Sequence, residues 1–118
     1  MTPTDFADKR RQWAHLPAPQ IDAMFLMEAT AALEAAAKQP TDRQIWTEAL
    51  RQNLMLWLNI GQTVGKGRNG LPRDIRKKLV KLSEFVKDWS EMAADGSDGT
   101  LMRPLIQINN SIANWLFR

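Results

Sequence analysis

From Trp46 to Val64 the positions Trp46, Leu50, Asn53, Trp57, Ile60 and Val64 recur at alternating spacings of four and three. That period belongs to an α-helix burying one stripe against neighbouring helices, and a strand cannot keep it on one face. Leu54, Met55, Leu56 and Leu58 add apolar side chains on the remaining faces of the same stretch. A helix apolar nearly all round is surrounded by protein, so this segment is expected at the centre of the fold with Trp57 buried. No segment alternates with period two, and no Asn-Gly or Asp-Gly turn joins two strand-like runs. The class expected is all-α.

Three more helical segments flank the central one. Residues 20–38 are rich in Ala, Leu, Met and Glu, and place Ile21, Phe25, Ala32 and Ala35 on one face with Leu26, Leu33 and Ala36 beside it. Pro40 ends that helix, and Thr41 or Asp42 can cap the next, which spans about 42–63. Pro72 suits the first turn of a helix over about 72–94, with Ile75, Leu79, Leu82, Val86 and Trp89 on its seam and Phe85 and Met92 adjacent. The run Asp95-Gly96-Ser97-Asp98-Gly99 reads as a loop in which an aspartate caps the following helix. That last helix, about 102–117, carries Leu101, Leu105, Ile108, Ile112 and Trp115 on its seam, flanked by Ile106, Asn109, Ala113 and Leu116. Connections of about 4–8 residues fit an antiparallel four-helix bundle. Residues 1–19, with Pro3, Pro17 and Pro19, read as an N-terminal arm or short extra helix carrying Phe6 and Trp13, before a single helical domain over 20–118.

The residue inventory narrows the chemistry. The 118 residues include no cysteine and one histidine, so thiolate zinc sites, cysteine nucleophiles and His-dependent triads have no material. No enzyme is expected, and no cofactor or metal. The literal Gly-x-Gly-x-x-Gly at Gly65, Gly67 and Gly70 follows a helix rather than a strand, so it is a helix–helix loop and not a dinucleotide cradle. Asp95 and Asp98 lack the ligand frame of a calcium loop. The start has no basic stretch leading into an apolar run, and no apolar run approaches the length that spans a bilayer. The expected location is therefore the cytoplasm, without membrane insertion.

Two features suit binding. The net charge is +3, and Lys66, Arg68, Arg73, Arg76, Lys77, Lys78 and Lys81 gather much of the basic charge between 66 and 81. Such a cluster fits either a solvated face or RNA phosphates, although no aromatic residues interleave with it to stack on bases. Met24, Met27, Met55, Met92 and Met102 supply adaptable apolar surface of the kind that receives partner helices. Asn53 and Asn109 lie on or beside apolar seams, where they either bond each other and set register or meet a bound peptide. Trp115 and Phe117 are two residues apart on one helix, so at most one points straight into the core.

Glu48-Ala49-Leu50, Asn53, Leu56-Trp57, Asn69-x-Leu71-Pro72-x-x-x-Arg76-x-x-Leu79, Phe85-Val86 and Leu105-Ile106-x-Ile108-Asn109-x-x-Ile112-x-x-x-Leu116 follow one another in an order and spacing that resembles the bacterial flagellar protein FlaF family. The match is best over 48–116 and extends more loosely back to about residue 17. Trp115 departs from it, since the family usually has glycine before the final leucine. The resemblance implies a small helical factor of flagellar assembly that binds flagellin, supports its synthesis or secretion and acts with the partner regulator FlbT. The rival expectation is an RNA-associated translational regulator using the basic segment 66–81. Asn53, Arg76, Met102, Asn109, Trp115 and Phe117 are the candidate partner-binding residues.

Overall fold

The computed structural model describes residues 8, 9, 11, 12, 15, 16, 18–65 and 71–116. Phe6, Trp13, Phe117 and the basic residues Lys66 and Arg68 lie outside the described residues. Four α-helices follow in order: α1 (Ala18–Lys38), α2 (Arg43–Gly65), α3 (Arg73–Ala93) and α4 (Arg103–Leu116), the last entered through a 3-10 turn at Gly99–Met102. The described residues contain no strand. Helix α4 packs on α1, α1 on α2, and α2 on α3, whereas the α3 and α4 backbones make no comparably close approach. Residues 8, 9, 11 and 12 are helical, and Lys9 pairs with Glu28 of α1, which lays this part of the arm beside the bundle.

Local chemistry sets the helix ends. Asp42 accepts from the Ile45 N–H at 3.1 Å, satisfying one of the donors that open α2. Pro72 stands as the residue before α3 rather than inside its first turn. Asp98 caps the 3-10 turn, accepting from the Thr100 N–H and hydroxyl, both at 2.9 Å. Its capping therefore acts one element earlier than expected. Gly99 permits a close backbone crossing: a Cβ there would stand 2.3 Å from the Ala37 carbonyl oxygen.

Three tryptophans tie the helices together through their only donor, the indole N–H. Trp46, fully enclosed, donates to the Ala93 carbonyl at 3.0 Å and joins the start of α2 to the end of α3. Trp57, also fully enclosed, donates to Asn109 Oδ1 at 2.8 Å and joins α2 to α4. Trp89 donates to the Leu101 carbonyl at 2.8 Å and joins α3 to the 3-10 turn. Arg43 reinforces the first of these ties. Its guanidinium lies 5.2 Å from the Trp46 ring centre and donates to the carbonyls of Gly96 and Ala94.

The central position expected for α2 is observed, with Trp46, Ala49, Leu50, Asn53, Leu56, Trp57 and Ile60 all buried. The other helices are rotated from their expected seams. On α1, Ile21 and Phe25 of the expected face are buried and Leu26, Leu33 and Ala36 beside it are fully enclosed, while Ala35 is exposed. On α3, Ser83, Ser90 and Ala93 are buried with Leu79 and Val86, while Leu82 and Trp89 are only half-buried. Met102 of the 3-10 turn and Leu105, Asn109, Ala113 and Leu116 of α4 are buried, while Ile108 and Ile112 are half-buried and Trp115 is exposed. Two contacts account for the rotation of α3 and α4. Gly61 of α2 sits so close to α3 that an added Cβ would lie 2.7 Å from Ser83 Oγ, which turns the small side of α3 inward. The hydrogen bonds of Asn109 draw its own side of α4 toward α2.

Candidate partner-binding surface

Asn53 and Asn109 form a polar chain with a fixed direction. The Trp57 indole can only donate, so Asn109 must present Oδ1 to it and turn Nδ2 toward Asn53, whose Oδ1 accepts at 2.7 Å. Asn53 Nδ2 is left as the end of the chain, with no acceptor among the described residues. Both asparagines are fully enclosed. They bond each other, the register-setting alternative, and neither faces solvent. Met102 is likewise fully enclosed, in the core beneath the start of α4. Arg76 is half-buried near the beginning of α3, and its Nε is enclosed without a hydrogen-bond partner among the described residues.

Trp115 is the one candidate that the described structure leaves on the outside, at 37% exposure. Among the described residues the other large exposed apolar side chains are Met27, Leu58, Phe85 and Met92. Met27 lies on the outer face of α1, one turn from half-buried Met24, and Leu58 lies on the flank of α2 toward α3. Phe85 and Met92 belong with Leu82 and Trp89 on the side of α3 that Trp89 directs toward the start of α4. The Phe85 and Trp89 rings are stacked, with centres 5.8 Å apart. On α4, Ile106 lies toward α1, beside Glu34 and Ala37, so helical geometry puts Ile108 and Trp115 on the opposite side, toward α3. Bulky stripes from two helices therefore line one open seam. Phe85 was not among the sequence-derived candidates, and Met92 was named there only within the methionine inventory. Their signal was present as residues adjacent to the α3 seam, but only the inward turn of Ser83 and Ser90 shows that they end outside.

Electrostatics elsewhere serve structure. Arg51 donates twice to the Glu48 carboxylate, the largest of the causes that lower its pKa to about 2, with Gln52 a smaller one. The Thr100 N–H and hydroxyl hold the Asp98 carboxyl below its ordinary range. No group of three or more His, Cys, Asp or Glu side chains with metal-binding geometry occurs among the described residues. None of the described helices is long and apolar enough to cross a membrane.

The family model for flagellar protein FlaF matches residues 8–116. The chain belongs to the FlaF family. That span reaches further toward the N-terminus than the resemblance in the motifs and includes the segment that pairs with α1 through Lys9. A flagellar role follows from membership. No curated protein and no solved structure matches the chain.

Proposed function

We propose that this FlaF-family protein is a cytoplasmic flagellin-binding factor that supports flagellin synthesis or secretion together with FlbT, and that it works by binding rather than catalysis. The observation that carries the reading is family membership over 8–116. The exposed apolar side chains Phe85, Met92 and Trp115 support it, because clustered exposed apolar surface usually marks an interaction site. Flagellin ends are amphipathic helical segments, and a helical protein with an apolar seam is suited to cover them before assembly.

Pull-down of purified flagellin, FlbT and RNA by the full chain at two salt concentrations tests the proposal. Flagellin is expected to be retained at both, since burial of apolar surface tolerates salt. RNA held at low salt and lost steeply at high salt, with no flagellin retained, would replace the proposal with the RNA reading.

A further inference from the structure

We infer that the seam between α3 and α4 is a groove for one amphipathic helix of a partner, about four turns long and carrying carboxylates toward one end. The inference rests on the proposed function and deepens it by locating the binding seam and giving the bound helix a length and a charge. It begins with the rotation of α3 and α4. Ser83, Ser90 and Asn109 occupy inward positions, so Leu82, Phe85 and Trp89 on one helix and Ile108, Ile112 and Trp115 on the other are left half-buried or exposed. They include every aromatic side chain of α3 and α4. They face a seam across which the backbones do not pack closely.

The length of the groove follows from the ends. The Trp89–Leu101 hydrogen bond marks one end, and from there α4 runs antiparallel to α3, since Trp46 near the start of α2 reaches Ala93 at the end of α3 while Trp57, three turns on, reaches Asn109 within α4. The stretch from Leu101 to Trp115 rises about 21 Å, which brings Trp115 level with the first turns of α3 and corresponds to about four helical turns. Charge gives the groove a polarity. Near the Trp115 end, Arg73, Lys77, Lys78 and Lys81 of α3 are exposed, against Asp74 and Glu84 among the described residues of that helix. At the other end stand Asp88, Glu91, Asp95 and Asp98, with Lys87 and Arg103. Within α4 the sole charged residue is Arg103, so the α4 rim of Gln107, Ser111 and Asn114 offers no competing carboxylate. A bound helix with carboxylates flanking its apolar stripe over the Trp115 end meets cations there. A helix with lysines at those positions meets like charge.

The test uses two synthetic 16-residue helical peptides with the same apolar stripe, one carrying three glutamates beside it in the first two turns and the other three lysines. Binding to the full chain is read by fluorescence anisotropy at low salt, and the contact surface by amide chemical shifts of the parent protein. The glutamate peptide is expected to bind at least tenfold more tightly than the lysine peptide and to shift α3 and α4 resonances. Phe85→Ser and Trp115→Ser, checked by circular dichroism, should each weaken it about tenfold, and Lys78→Glu with Lys81→Glu should reverse the preference. Absence of binding by both peptides, equal binding of both, or shifts confined to other helices would overturn the inference. So would sedimentation of the parent as a dimer that Phe85→Ser dissociates, because a second copy would then fill the groove.

Discussion

Replacing Asn109 with leucine breaks the polar chain in its middle, and replacing Asn53 removes its end. In Asn109→Leu the Trp57 N–H loses its acceptor and Asn53 Oδ1 loses its donor, both inside a fully enclosed region. Each buried group left unpaired costs about 1–3 kcal/mol, so the expected loss is about 2–6 kcal/mol. In Asn53→Leu only Asn109 Nδ2 is newly unpaired, and the unpartnered Asn53 Nδ2 is removed at the same time. Those effects oppose each other, which leaves a net cost of about 0–2 kcal/mol. The double variant leaves the Trp57 N–H as the chain's one unpaired group and should be more stable than Asn109→Leu alone. Urea unfolding followed by far-ultraviolet circular dichroism measures all three. An Asn53→Leu variant as unstable as Asn109→Leu, or a double variant less stable than either single one, would refute the assigned direction of the chain.

Trp57→Ala should cost about 3–5 kcal/mol by opening a cavity at the centre of the bundle, seen as a fall in the thermal midpoint. Gly99→Ala should destabilise by about 1–3 kcal/mol, because the new Cβ meets the Ala37 carbonyl at 2.3 Å and backbone must move; thermal unfolding measures it. Arg43→Ala removes the guanidinium from the Gly96 and Ala94 carbonyls, so amide hydrogen exchange over 94–98 should quicken while the α2 core stays protected. Glu48 should titrate at about 2 by carbon-detected NMR and return toward the ordinary carboxylate range in Arg51→Ala. A depressed carboxylate stabilises the fold above its unfolded pKa and loses that contribution as pH falls through the folded value. The loss from Glu48 therefore falls between about pH 4 and about pH 2, and is small because the pair is exposed.

Class and helix order were legible in the sequence because the period of α2 admits one reading and proline and glycine mark the breaks. The buried face of α2 was legible too, since nearly every rotation of a helix with this apolar middle points large groups inward. The faces of α3 and α4 were legible only in part: Leu79, Val86 and Leu105 are buried as expected, but neither buried face is centred where bulk alone puts it. Counting bulky residues favours Leu82 and Trp89 over Ser83 and Ser90, yet close packing against Gly61 favours the small side. A contact of that kind depends on two segments more than twenty positions apart and leaves no periodic trace in either. Asn53 and Asn109 were visible as polar interruptions with two readings, and their partnership emerges only when α2 and α4 meet. The same rotation explains why the exposed surface differs from the candidate list: Met102 goes inside, Trp115 stays out, and Phe85 and Met92 join it.

Isothermal calorimetry of purified flagellin against the parent protein and against folded Phe85→Ser and Trp115→Ser variants, repeated at several temperatures, tests the central claim most directly. The account predicts saturable binding with a negative heat-capacity change, as burial of apolar surface requires, and at least tenfold weaker binding by both variants. Absence of binding by the parent, or undiminished affinity in both folded variants, would contradict it.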